Sequence, residues 1–168
     1  MHQNKLIKIL FVSNQHVRAA LTVFVLLMSN VLTYSQLTNE RMQPFDYDWK
    51  FFLGDTTTAK SKDFNDKSWR TFDLPHDWSI EGQVSPKNPT AGGGGYFPAG
   101  IGWYRKNFKA PIEWKGKKVS IYFEGVYMNS EVFINGKSLG VYPYGYSSFT
   151  YDLASRLEFG SENVIAVK

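Results

Sequence analysis

Asn135-Gly136, flanked by two stretches in which apolar and polar residues alternate, constrains the fold more than any other feature of this chain. Asn-Gly supplies the two positive φ angles of a type I′ turn, whose twist matches that of paired antiparallel strands. A two-residue loop there pairs Val132 with Leu139 and Ser130 with Val141. Val132, Ile134, Leu139 and Val141 are then expected on one face of the ribbon, and Glu131, Phe133, Ser138 and Tyr142 on the other. Just upstream, Ile121, Phe123 and Gly125 alternate with Tyr122 and Glu124, so a larger sheet is expected rather than an isolated ribbon.

Short apolar and aromatic runs of this kind recur along the chain between turn-forming residues, which is an all-β pattern. Strands are predicted at 49–53, 69–74, 102–108, 118–126, 130–134, 137–142, 148–151 and 163–168. No segment sustains a 3.6-residue apolar period long enough for a core helix. The pattern therefore predicts an all-β, antiparallel β-sandwich. Residues 81–100 hold Pro86, Pro89, Pro98 and six glycines, which excludes a regular element. Long irregular loops in compact domains are often functional or disordered. Residues 152–159 fit one helical turn, begun by Asp152 and ended by Gly160.

Lys5, Lys8 and Arg18 accompany an apolar run from Ala19 to Met28 interrupted only by Thr22, and Thr33-Tyr34-Ser35 supplies a small-x-small cleavage site. This reads as a secretory signal over residues 1–35, with the mature chain starting at Gln36. The stretch from Ala19 to Leu32 is broken by Ser29 and Asn30 and falls short of the ~20 residues of a spanning helix, so no stable membrane span is expected. Without the leader, 16 Lys+Arg face 15 Asp+Glu, against 19 and 15 for the whole chain. The basicity is thus largely the leader's, and no broad footprint for nucleic acid remains. Lys115-Gly116-Lys117-Lys118 reads as a solvated turn. Residues 36–168 are expected to form one domain, large enough to bury roughly two-thirds of its unfolded surface without disulfides. The chain has no cysteine, and export without disulfides points to the periplasm or exterior of a bacterial cell.

Few residues are set up for chemistry. Asp46 with Asp48, and Asp63 with Asp66, lie beside Trp49 and Trp69 at strand entrances, where turn-forming aspartates are expected. Glu124 and Glu131 read as solvent-facing or edge-protecting charges. His76 is the sole histidine past the leader, which with no cysteine excludes a zinc site of the usual composition. A structural hydrogen-bonding role is the favoured reading of His76. The Gly92–Gly95 run lacks the preceding strand and following helix of a phosphate loop. Aromatic residues are densest at Trp103-Tyr104 and Tyr142-Pro143-Tyr144-Gly145-Tyr146. Exposed rings on sandwich loops suit sugars, but most are expected to pack internally or against a neighbouring domain.

Thr71-Phe72-Asp73-Leu74-Pro75-His76-Asp77-Trp78-Ser79-Ile80, the glycine run and Ile101-Gly102-Trp103-Tyr104-Arg105-Lys106-Asn107-Phe108 together resemble the N-terminal β-sandwich of family 2 glycoside hydrolases of the β-galactosidase type. Asp66-Lys67-Ser68-Trp69-Arg70 and Ile134-Asn135-Gly136-Lys137 strengthen the likeness, which runs from Phe45 to Val167. The resemblance implies a galactose-binding-like jelly roll, incomplete at its C-terminus. It also implies an immunoglobulin-like domain and a barrel further on, with two barrel glutamates acting by double displacement with retention. Neither glutamate maps onto this sequence, so no catalytic residue, metal ligand or cofactor is assigned. The implied function is that of an accessory sugar-binding domain of an exported hydrolase, with a β-galactoside-like glycan as ligand. Pocket contacts are expected from His76, Asp77, Trp78, Trp103, Tyr104 and Tyr144. A stand-alone carbohydrate-binding module and a protein-interaction sandwich are the alternatives. Because the family domain continues past the Asn163-Val164-Ile165-Ala166-Val167 strand, that strand is expected to lack a neighbour. The piece is correspondingly expected to be inactive and prone to aggregate.

Overall fold

The computed structural model of the protein describes residues 42–168, together with Ala19, Thr22 and Phe24, which are helical. The secretory-signal reading of residues 1–35 otherwise lies outside the described residues. Among the described residues no helix is long and apolar enough to cross a membrane. Residues 45–168 constitute one unit, distinct from residues 1–44.

That unit is built from β1 (Trp49–Leu53), β2 (Arg70–Phe72), β3 (Gly102–Lys109), β4 (Ser120–Phe123), β5 (Ser130–Ile134), β6 (Lys137–Tyr142), β7 (Phe149–Asp152) and β8 (Glu162–Val167). Every pairing is antiparallel. Six strands form one sheet in the order β2-β1-β3-β8-β5-β6, and β4 pairs with β7 in a second. The period-2 alternation assigns each face its own apolar layer. On one face Trp49, Val132, Ile134, Ile165 and Val167 meet Phe123 and Phe149 of the small sheet. On the other, Trp103, Phe133 and Ala166 pack with Ala59, Trp69 and Phe64 from the segment between β1 and β2. This doubly covered sheet explains why β8 is buried at every position from Asn163 to Val167.

A buried ion cluster pins that covering segment. Arg105, 1% exposed, donates from Nε to Asp66 Oδ2 at 2.9 Å and from Nη1 to the carbonyls of Ser61 (3.0 Å) and Ala59. Lys50 Nζ closes the cluster at 2.8 Å from Asp66 Oδ1. Burial alone would raise the Asp66 carboxyl, but the hydrogen bonds from Lys50 and Arg105 outweigh it and hold the group below its ordinary value.

Three expectations are corrected. The hairpin begins as anticipated, with Ile134 opposite Lys137 and Phe133 opposite Ser138, but then Val132 pairs with Gly140 and Ser130 with Tyr142. Leu139 is the extra residue of a β-bulge, made possible by Gly140 at φ +128°, where a side chain is strained. The slip moves Val141 out of the core, leaving it 58% exposed. Tyr142 stacks on Phe149 instead, at 4.2 Å. Second, β4 joins β7 rather than the hairpin. Third, the strand at 163–168 does not lack neighbours: β8 lies between β3 and β5 and bonds to both. The anticipated helical turn is present, with Leu157 N–H donating to the Leu153 carbonyl and Asp152 accepting from Ala154 N–H.

The segment 81–100, expected to hold no regular element, contains a short 3₁₀ turn at Gly92–Gly94, closed by the Gly95 N–H on the Gly92 carbonyl, and is otherwise irregular but internally bonded. Asn88 Nδ2 donates to the carbonyls of Gln83 and Tyr96, and Thr90 Oγ1 to that of Phe97 at 2.6 Å.

Candidate functional site

The chain leaves β2, passes a cis Leu74–Pro75 bond and enters a 3₁₀ turn at Trp78–Glu81. Asp77 starts that turn, its Oδ1 accepting from the Ser79 N–H at 2.9 Å and the Ser79 hydroxyl at 2.6 Å. This is the capping use of a short carboxylate. The turn brings Glu81 back onto Arg70 in a bidentate pair, Nη1–Oε2 2.7 Å and Nη2–Oε1 2.9 Å.

His76 occupies the space thus enclosed. Its side chain is 8% exposed, stacked on Phe72 at 4.0 Å and met edge-on by Phe51 at 5.0 Å. Nε2 lies 3.2 Å from Glu81 Oε1 and Nδ1 2.8 Å from the Tyr104 hydroxyl. Hydrogen bonds from Arg70, and after them His76, hold the Glu81 carboxyl at about 2. An ionised carboxylate only accepts, so Nε2 donates to Glu81, while the Tyr104 hydroxyl lies against both Nδ1 and the His76 carbonyl. Burial, reinforced by the charges of Asp77 and Glu81, pushes the Tyr104 phenol well above its ordinary value. Both ring nitrogens of His76 are therefore committed within the protein, and its role here is to lock the Arg70–Glu81 pair to β3.

Above this cluster a cleft of about 220 Å³ is lined by Phe51, Leu53, Arg70, Trp78, Glu81, Gly82 and Pro98. Gly102 lets the Trp78 indole lie on β3: a Cβ there would sit 2.9 Å from the Phe51 ring and 3.1 Å from Trp78 Nε1. The cleft thus has an aromatic floor and a charged, hydrogen-bonding rim.

Of the residues expected at a pocket, the fold brings His76, Asp77, Trp78 and Tyr104 together. Trp103 points to the opposite face of β3, as its sequence neighbour must. It is 1% exposed and stacks on Phe133 at 5.8 Å. Its Nε1 makes no hydrogen bond. The nearby Asp55 carboxylate is held below its ordinary value first by Lys168 and, to a lesser degree, by the Trp103 indole N–H turned towards it. Tyr144, 59% exposed, lies in the β6–β7 loop beside Tyr146, which in turn meets Tyr127. Sequence reasoning missed the Arg70–Glu81 pair and the Asp66–Arg105–Lys50 cluster. The second had a signal: Arg105 lies two residues from Trp103, in phase with a buried ring, and an inward arginine demands a carboxylate. Among the described residues no group of three or more His, Asp and Glu is placed to hold a metal ion.

No family model matches the chain, but individual proteins do. It is 56% identical over 124 residues to "Beta-galactosidase BoGH2A" of Bacteroides ovatus, a match covering 74% of this chain and 15% of that protein. It is 46% identical over 124 residues to a "Putative beta-glucuronidase" of Formosa agariphila, covering 74% and 12%. Among solved structures, a β-glycosidase from Bacteroides vulgatus superposes with a TM-score of 0.70 at 54% identity, over 73% of this chain and 16% of that one. A glycosyl hydrolase family 2 member from Bacteroides cellulosilyticus does so with a TM-score of 0.70 at 39% identity, over 74% and 17%. Over the matched stretch the chain is similar to part of glycoside hydrolase family 2 enzymes, and it spans about a seventh of the length of the relatives it matches.

Proposed function

We propose that residues 45–168 form the N-terminal accessory domain of an exported family 2 glycoside hydrolase acting on β-galactosides. The observation that carries this is the 56% identity to a bacterial β-galactosidase over a stretch that is only 15% of that protein. The internal chemistry agrees. Retaining glycosidases need two carboxyl groups about 5–5.5 Å apart at the bond to be broken. Here Asp66 is buried against Arg105 and Lys50, Asp77 caps a turn, and Glu81 is held in its charged form by Arg70. Each of these serves the fold, so the acid and nucleophile come from downstream immunoglobulin-like and barrel domains of the parent enzyme. The cleft at Trp78, Arg70 and Glu81 is the sugar-facing part of this piece, an apolar ring face beside donors and acceptors that suit hydroxyls. The basic, apolar leader ending at Thr33-Tyr34-Ser35 supports export to the periplasm or cell exterior.

A chimera tests this reading. The Bacteroides ovatus β-galactosidase with its matched segment replaced by residues 45–168 should hydrolyse aryl β-galactosides, while the isolated 168-residue chain should not. A folded chimera without turnover would overturn the assignment. So would turnover by the isolated chain that vanishes on changing one of its own Asp or Glu residues.

A further inference from the structure

Tyr127, Tyr144 and Tyr146 are 66%, 59% and 74% exposed, and each has a ring neighbour in the same set: 6.1 Å for Tyr127–Tyr146 and 5.8 Å for Tyr144–Tyr146, both edge-on. Large rings are ordinarily the first side chains to be buried. Three left in water side by side form a local patch of the kind that marks a binding surface.

The patch is also held in place. It arises from two loops, β4–β5 and β6–β7, that meet backbone to backbone. Asn129 N–H donates to the Pro143 carbonyl at 3.3 Å. A Cβ on Gly145 would lie 2.9 Å from Met128 N, so only glycine lets the loops approach this closely. Tyr142, at the root of the second loop, is fixed by its stack on Phe149 and its 2.7 Å hydroxyl contact with Ser147. Preorganised aromatic anchors lose little conformational entropy on binding.

What such a surface takes follows from its composition. No residue from Gly125 to Ser130 or from Ser138 to Tyr151 is charged, so both loops are electrically neutral. That disfavours polyanions, which bind through lysine and arginine. The side chains are tyrosines rather than leucines or valines, so apolar ring faces come with hydroxyls at their edges. A neutral pyranose chain offers the complement: C–H faces for the rings and hydroxyls for the phenols. We propose that Tyr127, Tyr144 and Tyr146 form a second sugar-binding surface, apart from the Trp78 cleft, that holds a neutral polysaccharide chain. This rests on the glycosidase reading for the presence of such a chain, and it extends that reading to a site of its own.

Affinity electrophoresis of the full chain in gels containing unbranched β-1,4-galactan tests the proposal, with polygalacturonate gels as the charged comparison. The parent protein should be retarded by galactan and not by polygalacturonate. Replacing all three tyrosines by alanine should weaken retardation about tenfold or more, whereas Tyr47→Ala, which removes an exposed ring outside both surfaces, should leave it unchanged. The rings are exposed, so the urea midpoint of the triple variant should stay near the parent's; should that variant not fold, Tyr146→Ala alone, at the most exposed ring, is read in its place. Undiminished retardation of the tyrosine variant, absence of retardation in the parent, or retention by polygalacturonate alone would each overturn it. Turnover of a small aryl β-galactoside by the chimera is read separately, since it does not require the tyrosine surface. An active chimera whose galactan binding ignores the tyrosines would sink this inference and leave the accessory-domain assignment standing.

Discussion

Replacing Trp103 by alanine should unfold this domain more readily rather than weaken its hold on sugar. The indole is 1% exposed and stacked on Phe133, in the layer that also holds Ala59, Trp69 and Ala166. Truncation of a buried tryptophan costs roughly 3–5 kcal/mol in lost transfer energy and residual cavity. That is a large part of the roughly 5–15 kcal/mol of a typical domain. For a unit of this size that is of the order of 10–20 °C in melting temperature. Trp103→Phe keeps a ring on Phe133, so it should cost much less. Urea denaturation followed by far-UV circular dichroism measures both. A loss below about 1 kcal/mol for Trp103→Ala would refute the assignment of this ring to the core.

Asp66→Asn should be strongly destabilising, by roughly 3–5 kcal/mol, because it leaves Arg105 charged and buried without its counter-ion; a urea midpoint close to the parent's would contradict the cluster described above. Glu81 sets a pH dependence. Its folded value of about 2 lies below the ordinary 4.5, so the stability it lends is present above about pH 4.5 and is lost as pH falls towards 2. Glu81→Gln should therefore flatten the melting-temperature profile within that window and leave the shape above it unchanged; an unaltered acid limb would count against the Arg70–Glu81–His76 arrangement.

Most of the strand positions were legible because alternation is a local signal. Trp49–Leu53 and Ser130–Ile134 were bounded as observed, since each is a short run closed by a turn residue. The register of the second half of the hairpin was not legible. Asn135-Gly136 dictates only the first two pairs, and the bulge at Leu139 depends on Gly140 adopting a φ that its neighbours' packing selects. Nor was the placement of β8 legible: an apolar run of four residues, 164–167, fits a central strand and an edge alike, and only long-range pairing distinguishes them. At the candidate site, Leu74-Pro75-His76-Asp77-Trp78 was recognisable as a unit. What each member does depended on Arg70, Glu81 and Tyr104, which the fold brings in from other elements. Trp103 and Tyr104 show the same limit from the other side: adjacent aromatics in a strand must part to opposite faces, and the sequence alone does not say which face is closed.

The position of β8 has a consequence for the order in which the molecule is made. Its ladder with β3 joins residues more than 50 positions apart. Contacts of that span are slow to form, since the loop must close before the pairing rewards it. Until residues 162–167 have left the ribosome, the large sheet exists only as a β2-β1-β3 group and a separate β5-β6 hairpin that share no hydrogen bond. One late strand joins the two halves. A nascent chain stalled before it would present both inner edges, β3 and β5, to any other strand within reach.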